Sequence, residues 1–288
     1  ADGPWGHRTF EKILSDKDYE IKFVCVRYSS NDLKFENYCK KYNIAYLKHK
    51  NINSVEFLNQ IKDYNCDLFV SMSFNQIFKS EIIKIPPLKI INCHAGKLPF
   101  YRGRNIINWA LINDEIEFGI TVHFIDEGID TGDIILQRTF PITDSDTYST
   151  LLEKAYIECP DILFESIKKI KEKNVKKIKQ NSIHPIGFYC PKRKKGDERI
   201  NWNQSSRDLF NFIRAISLPG PQARSFIENE EIYIEKAEYI KVAPKYIGIP
   251  GAVLFSSDEE LIVKTKDTFI RITKWSSNVK IKAGSRLK

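Results

Sequence analysis

The first half of the chain alternates short apolar runs with segments whose apolar residues recur at helical spacing. The apolar runs at 21–28, 68–71 and 89–93 are typical of strands buried on both faces of a sheet. Helical patterns separate them, and Ser54 offers an N-cap for a helix over 55–64. Strand-helix-strand order favours right-handed crossovers and a parallel sheet covered by helices. The sequence therefore predicts an α/β, Rossmann-like fold, although no G-x-G-x-x-G motif indicates NAD.

Length and cysteine usage limit the class of protein further. The chain has 288 residues, of which 42% are hydrophobic, and this is enough for two domains of unequal size. It contains no apolar stretch of membrane-spanning length, and its first residues do not resemble a signal peptide. Its six cysteines form no C-x-x-C pair, which favours reduced thiols over disulfides or a zinc site. We expect a cytoplasmic protein without a bound metal.

The last third of the chain has a different pattern. The stretch 174–198 is basic and carries Pro185, Pro191 and Gly196, so we interpret it as a linker. A helix is predicted over 207–216, before the breakers Pro219 and Gly220. The following short alternating runs indicate a small, mainly β, barrel-like domain with strands at 225–227, 231–237, 251–255, 261–264 and 269–275. We predict a catalytic domain at 1–186, and a linker with this β-rich domain at 187–288.

The net charge of +8 has two interpretations. Much of the excess lies in the runs 168–179 and 191–199, which a solvated helix end and a basic linker would explain. Alternatively, the charge attracts an anionic substrate. A tRNA would require such a patch and, less strongly, so would a nucleotide diphosphate.

Polar residues that could carry chemistry follow the apolar run 89–93. Asn92 and His94 lie at its end, and a D-T-G-D element further along the chain supplies Asp130. Ligands of open α/β sheets bind beyond the carboxyl ends of the strands. Taken singly, these residues could be a core histidine, a turn asparagine and a turn aspartate. Asn105 offers an N-cap for a helix over 106–111, and the acidic loop around Asp130 lacks calcium-loop spacing.

The segment N-C-H-A-G-K-L-P-F-Y-R-G, together with D-T-G-D, resembles the folate-dependent formyltransferase family. The resemblance implies that Asn92, His94 and Asp130 are catalytic and that the co-substrate is N10-formyltetrahydrofolate. Acyl transfer to an amine needs a proton acceptor and an oxyanion donor. We assign His94 as the general base and Asn92 as the donor to the oxyanion. Asp130 would orient and stabilise His94 or an ordered water, or help to deprotonate the attacking ammonium, and the sequence does not fix the route of the protons.

The resemblance also implies a folate pocket. Its predicted contacts come from the loop after the strand at 68–71 and from the segments around the catalytic residues: Ser71, Met72, Ser73, Phe74, Gln76, Arg102, His123, Asp126 and Gly128. Members of this family begin with a parallel strand before the first helix, whereas this chain begins almost at that turn. We expect this strand to be missing or reduced, either because the sequence is truncated or because the sheet edge differs.

The family offers several acceptors. Glycinamide ribonucleotide formyltransferase has one domain, and methionyl-tRNA formyltransferase carries a basic insertion that residues 27–43 lack. The motifs R-I-x-W-N, F-I-R-A-I and P-G-P of the C-terminal third resemble nucleotide-sugar formyltransferases. We therefore predict an amino sugar linked to dTDP, UDP or GDP, used for surface polysaccharides such as lipopolysaccharide O-antigen.

Predicted contacts of that substrate are Trp5, Arg8, Lys79, Arg104, Asn105, Tyr189 and Arg193. Nucleic acid and membrane partners are not expected, and a homodimer is possible by analogy with the family. A methionyl-tRNA formyltransferase, a formyltetrahydrofolate hydrolase and a non-catalytic binding module remain as alternatives. The intact set of Asn92, His94 and Asp130 argues against the binding module.

Overall fold

The computed structural model describes all 288 residues, which separate into two compact units. Each unit is assembled from three segments of the chain: unit 1 from Ala1–Gly103, Phe118–Phe140 and Glu153–Cys190, and unit 2 from Arg104–Glu117, Pro141–Leu152 and Pro191–Lys288. The last change of unit, after Cys190, lies close to the predicted boundary at 186/187. The assignment of two contiguous domains to 1–186 and 187–288 stays a prediction.

In chain order the elements are α1 (Gly3–Leu14), β1 (Phe23–Val26), α2 (Leu33–Tyr42), β2 (Ala45–Lys48), α3 (Val55–Lys62), β3 (Phe69–Ser71), α4 (Ser80–Ile83), β4 (Ile90–His94), β5 (Arg102–Gly103), α5 (Ile106–Ile112), β6 (Glu117–Phe124), β7 (Ile134–Pro141), α6 (Tyr148–Lys171), α7 (Gln180–Ile183), β8 (Tyr189–Cys190), α8 (Ser206–Ile216), β9 (Ala223–Ile227), β10 (Glu230–Glu238), β11 (Val253–Ser256), β12 (Leu261–Lys264) and β13 (Phe269–Ser277). The predicted combination of an α/β region and a mainly β C-terminal region is confirmed.

The main sheet of unit 1 has the strand order β3-β4-β6-β7. β3 and β4 are parallel, as the sequence predicts, but β6 runs antiparallel to β4. The sheet is therefore mixed and not wholly parallel. The reason is that the segment after His94 stays at the carboxyl edge of β4, so that Thr121 of β6 returns opposite His94. Asn92 and His94 consequently lie on a strand that is paired on both sides.

β1 and β2 form a separate two-stranded parallel sheet. An apolar cavity of about 580 Å³ lies beside β1 and β3, and Val24, Phe69 and Val70 are among its lining residues. Ala1 also lines this cavity, and its nitrogen donates to the carbonyl oxygen of Cys25 at 2.8 Å.

α6 is one continuous helix that contains Pro160. A proline cannot donate to the carbonyl four residues earlier, which here belongs to Tyr156. The guanidinium of Arg8 donates to that carbonyl at 3.1 Å. A side chain from α1 therefore supplies the hydrogen bond that Pro160 removes.

The stretch 174–198 is not a free linker, which corrects the interpretation from composition. Ile178 exchanges two backbone hydrogen bonds with Ile134 at the start of β7, with lengths of 2.8 and 2.9 Å. β8 then pairs in parallel with β5, so that Tyr189 lies beside Arg102 and Cys190 beside Gly103. Backbone hydrogen bonds do not require particular side chains, so the basic composition of this stretch gave no indication of its strand pairing.

In unit 2, helix α8 packs against α5, where the Asn108 side chain donates to the carbonyl of Ala215 at 2.5 Å. The buried guanidinium of Arg214 donates to the carbonyls of Thr143 and Asp146 at 2.6 and 3.0 Å. These bonds attach α8 to segments that are distant in the sequence. The unit is consequently held together by contacts between its three chain segments.

The sheet of unit 2 has the order β11-β12-β13-β10-β9. The last residues of the chain lie against both edge strands: Leu287 bridges to Ile227 of β9, and Arg286 bridges to Ala252 before β11. This arrangement hydrogen-bonds the two edges to one segment and makes the sheet barrel-like, as predicted. The closing segment itself carries no sequence signal of a strand.

Candidate active site

Asn92 and His94 project from the same face of β4 because they are two residues apart on a strand. The neighbouring strands place Ser71 beside Asn92 on one side, and His123 opposite Asn92 on the other. His94 is 8% exposed, and Asn92 is half-buried. Asn92 is paired on both sides and His94 with Thr121 of β6, and this pairing fixes the backbone from which the two side chains extend.

Asp130 reaches the same place from the loop between β6 and β7. One carboxylate oxygen lies 3.6 Å from Nδ1 of His94, and the other lies 3.5 Å from Nε2 of His123. The carboxylate also accepts the backbone N–H of Gly103 at 2.9 Å. The three residues predicted to be catalytic, Asn92, His94 and Asp130, are therefore brought together.

The environment of Asp130 keeps it ionised. Burial acts to raise its pKa, but the neighbouring His94 and His123 and the Gly103 N–H together hold that pKa well below its usual value of 3.8. An ionised carboxylate cannot donate a proton to a reacting group. The ionised carboxylate therefore places a negative charge beside the imidazole of His94.

One contact determines which nitrogen of His94 can react. Nε2 of His94 lies 2.7 Å from the carbonyl oxygen of Tyr101, and a carbonyl only accepts, so Nε2 carries a hydrogen. Nδ1, which faces Asp130, is therefore the nitrogen that keeps a free electron pair when the ring is neutral. Tyr101 has a φ of 56°, a conformation that costs a non-glycine residue about 1–3 kcal/mol and that aims its carbonyl at the ring.

Gly96 leaves room for this contact. A β-carbon added there would lie 2.5 Å from Nε2 of His94 and 2.6 Å from the carbonyl oxygen of Tyr101. The loop is further held by Thr121, whose hydroxyl donates to the Gly96 carbonyl at 2.6 Å. The glycine of the N-C-H-A-G motif is thus needed for the hydrogen bond that orients His94.

His123 is oriented in the opposite sense. Its Nδ1–H donates to the carbonyl of Phe124 at 2.7 Å, and its Nε2 lies 3.2 Å from the side-chain nitrogen of Asn92 and 3.5 Å from the Asp130 carboxylate. The same Asn92 amide carries the second N–H that could meet a developing oxyanion. His123, predicted as a folate contact, also belongs to the hydrogen-bond network of Asn92 and Asp130.

Gln180 was not predicted, although it contacts the Asp130 loop and Arg102 directly. It is 4% exposed, and its amide donates to the carbonyls of Asp130 and Gly132, each at 2.8 Å. Its carbonyl accepts two hydrogen bonds from the guanidinium of Arg102, at 3.0 and 2.7 Å. No sequence signal identifies it, because it lies in the basic stretch interpreted as a linker.

The remaining predicted folate contacts lie in two places. Ser71 and Met72 are buried at the end of β3, where the Thr9 hydroxyl donates to the sulfur of Met72 at 3.4 Å. Asp126 and Gly128 are exposed on the loop after β6, where Asp126 accepts the Gly128 N–H at 3.1 Å. Their role toward folate stays a prediction.

The other residues of the loop after β3 have contacts within the fold. Ser73 is exposed with a φ of 52°, and Phe74 packs partly buried against the core beside Phe78. Gln76 uses its amide to fasten a neighbouring loop, with bonds of 2.9 Å to the backbone of Ile52 and of His49. A folate contact of Gln76 would therefore compete with these bonds.

Among the predicted acceptor contacts in unit 1, Trp5 stacks edge-on against Tyr156, and Arg8 donates to the Tyr156 carbonyl. Lys79 is an exposed N-cap residue of α4. Tyr189 lies under the guanidinium of Arg102 at 5.4 Å. The structure thus brings Tyr189 next to the Gln180 network, while Arg8 has a helix-stabilising contact.

In unit 2, Arg104 is exposed, and Asn105 precedes α5 with a φ of 56°. The side chain of Asn105 makes no capping bond to α5, contrary to the prediction, and accepts the backbone N–H of Arg193 at 3.0 Å. The guanidinium of Arg193 lies over the rings of Trp109 and Phe212. Burial lowers its pKa, which indicates a packed arginine.

All six cysteines are free thiols. The structure contains no group of three or more histidine, cysteine, aspartate or glutamate side chains arranged to hold a metal ion. None of its helices combines the length and the hydropathy that a membrane span requires.

Two family models match this chain. A family model described as formyl transferase matches residues 19–167, and one described as formyl transferase, C-terminal domain, matches residues 192–285. The chain therefore belongs to the formyl transferase family.

Individual relatives differ in the acceptor that their names state, so we compared the chain with each kind. The chain is 37% identical to methionyl-tRNA formyltransferase from Thermodesulfovibrio yellowstonii, over 75% of this chain and 67% of that protein. It is 36% identical to methionyl-tRNA formyltransferase from Caldanaerobacter subterraneus, over 81% of this chain and 74% of that protein. Among solved structures it resembles WlaRD, a sugar 3N-formyl transferase crystallised in the presence of dTDP and 5-N-formyl-THF. The TM-score is 0.70 and the identity 25%, over 96% of this chain and 95% of that one.

These relatives overturn the predicted acceptor. The prediction that the acceptor is a nucleotide-linked amino sugar used for polysaccharides was wrong, and so was the expectation that nucleic acid is not a partner. The reason is that the relatives with 30–37% identity are methionyl-tRNA formyltransferases. The prediction depended on a basic insertion that residues 27–43 lack. Loops tolerate insertions and deletions, so the absence of one loop is weak evidence about a substrate.

Proposed function

We propose that this formyltransferase moves the formyl group of N10-formyltetrahydrofolate to the amino group of methionyl-tRNA. The observation that carries the proposal is the cluster of Asn92, His94, His123 and Asp130, in which one imidazole nitrogen faces a carboxylate held ionised. Such a cluster suits acyl transfer, in which a proton leaves an amine while an oxyanion develops.

The proton acceptor in this proposal is Nδ1 of His94. As the neutral amine attacks the formyl carbon, a proton passes to Nδ1, and the resulting imidazolium lies beside Asp130 at 3.6 Å. The Tyr101 carbonyl keeps the ring in place throughout, because Nε2 holds its hydrogen in both states. The proton then leaves with the folate nitrogen as the carbon–nitrogen bond to the formyl group breaks.

Asn92 supplies the oxyanion donor. One N–H of its amide donates to His123, which leaves the second N–H for the oxygen of the formyl group. A preorganised donor of this kind is worth about 3–4 kcal/mol of transition-state stabilisation in other acyl-transfer enzymes.

The folate donor is supported by the family and by the presence of 5-N-formyl-THF with the similar structure of WlaRD. The tRNA acceptor is supported by the names of the relatives above 30% identity. The net charge of +8 is also suited to a polyanionic acceptor.

The test is transfer of radiolabelled formyl from N10-formyltetrahydrofolate to methionyl-initiator tRNA. We expect a formylated product that needs the methionyl ester, declines with added salt, and is lost in His94→Ala. Uncharged initiator tRNA is the matched control. Release of formate at an equal rate without any charged tRNA would instead identify a hydrolase and would overturn the proposed acceptor.

A further inference from the structure

Gln180 is a buried polar residue whose four hydrogen-bonding positions are all filled. Its amide has two N–H groups, which donate to Asp130 and Gly132, and its oxygen accepts from two nitrogens of Arg102. Buried amides that are satisfied so completely hold their partners in one arrangement. The partners here are the loop that carries Asp130 and the strand β5, which consists of Arg102 and Gly103.

The backbone of Asp130 needs such support. Its φ of 55° lies in the left-handed region that a residue with a side chain seldom adopts. The two carbonyls that Gln180 binds flank Thr131, so one side chain holds the loop on both sides of that residue. The carboxylate of Asp130 is aimed at His94 from this backbone.

Gln180 is itself anchored independently of Asp130. Two residues earlier, Ile178 pairs with Ile134 at the start of β7. Arg102, which binds the oxygen of Gln180, is the neighbour of Gly103, and the Gly103 N–H donates to the Asp130 carboxylate. Gln180 therefore joins the two backbone segments that determine where the carboxylate lies.

We propose that Gln180 is a positioning residue for the transfer reaction, acting by holding Asp130 at its distance from His94. The activity part of this inference rests on the proposed function, whereas the structural part does not. The two N–H donors are the essential feature. Glutamate retains the size of the side chain and the acceptor for Arg102 but loses both donors, so it cannot replace glutamine.

Two variants separate these features. Gln180→Leu removes all four hydrogen bonds, and Gln180→Glu removes only the donors to Asp130 and Gly132. We expect both to lower kcat for formyl transfer by about 10- to 100-fold, because a misplacement of about 1 Å at a reacting group has that effect. If Gln180→Leu does not fold cooperatively, Gln180→Glu carries the test.

A second measurement needs no substrate. Carboxyl-carbon NMR of aspartate-labelled protein, assigned with Asp130→Asn, follows the titration of Asp130 in the free enzyme. In the wild type this carboxyl should remain ionised below the usual range. In both Gln180 variants its pKa should rise toward the ordinary value, because the carboxylate moves away from His94 and the Gly103 N–H.

The matched control is Ser225→Ala in unit 2. Ser225 is fully buried and accepts a hydrogen bond from the indole of Trp202 at 2.9 Å. Its loss should lower the melting temperature, while kcat and the Asp130 titration remain as in the wild type. A general loss of stability is thereby distinguished from displacement of Asp130.

An unchanged Asp130 titration in both variants, or wild-type kcat in Gln180→Glu, would overturn the positioning role. If the wild type formylates no methionyl-tRNA but Asp130 still titrates at higher pH in the variants, the proposed acceptor fails and the positioning role stands. A shifted titration together with a lower kcat supports both.

Discussion

Asn92 and His94 are held by a strand that is paired on both sides, whereas Asp130 is held by a loop whose supports come from distant segments. On the strand side, the ladder of β4 places both residues, and one further bond from Tyr101 orients the imidazole. On the loop side, Gly103 and Gln180 together hold a backbone with a positive φ. The site thus combines residues placed by a strand ladder with a residue placed by a few separate hydrogen bonds.

This difference teaches where substitutions should act. A change on the strand side should affect chemistry with little loss of stability, since the ladder does not depend on the site residues. A change on the loop side should affect both, since the bonds that place Asp130 also hold the chain segments together. The predictions below follow this contrast, beginning with the largest effect.

His94→Ala should lower kcat for formyl transfer by about 10²–10⁴-fold, the usual effect of losing a general base. The melting temperature should fall little, because β4 remains paired. Steady-state rates and calorimetry on the same preparation would check this. A variant with a tenth of the wild-type rate or more would mean that His94 is not the proton acceptor.

Gly96→Ala should lower kcat by about 100-fold, because the added methyl lies 2.5 Å from Nε2 of His94 and separates it from the Tyr101 carbonyl. The backbone of the loop must shift as well as the imidazole, because the added methyl also lies 2.6 Å from the Tyr101 carbonyl oxygen, so the melting temperature should fall too. A crystal structure of the variant would show whether His94 has rotated. Wild-type activity with an unmoved ring would contradict the orienting role of Tyr101.

Gly103→Ala should chiefly destabilise the protein, by about 1–3 kcal/mol. Gly103 has a φ of 97°, and an added β-carbon would lie 2.5 Å from the carbonyl oxygen of Cys190. Urea unfolding would measure the loss, and kcat should decline less than in Gly96→Ala. If stability were unchanged, the pairing of β5 with β8 would not support the loop side.

The smallest but most specific of the four expected effects is that of Asp130→Asn on the stability of the protein at acid pH. The pKa of Asp130 is depressed in the folded protein, so its stabilising contribution is present above the usual value of 3.8 and is lost as the pH falls below it. The variant lacks this contribution, and its stability should therefore depend less steeply on pH from about 5 downward. Denaturant unfolding over that range, compared with the wild type, provides the measurement; equal slopes would contradict the depressed pKa.

The strand side could be predicted from the sequence, and the loop side only in part. The run 89–93 predicts a buried strand, and strand periodicity then places Asn92 and His94 on one face. Asp130 was found through the resemblance of its D-T-G-D element to a family. Gln180 was missed because its role depends on backbone pairing of residues 178 and 189–190, for which side-chain composition gives no signal.

The fold shows the same limit. Periodicity predicts β4 and β6 individually, but whether β6 runs parallel or antiparallel to β4 depends on the path of the chain between them, which no local pattern encodes. The closing segment after Gly284 was likewise missed, since its pairing is purely a backbone property. Tertiary contacts, and not propensity, decided these features.

The division of the chain into interleaved segments has a consequence for modularity. Unit 2 takes Arg104–Glu117 and Pro141–Leu152 from the first half of the sequence, and the buried Asn108 and Arg214 bonds join those segments to α8. A gene fusion or a chimera that exchanges only the part after residue 190 would therefore transfer one of the three chain segments that form unit 2. A functional exchange would have to transfer all three segments together.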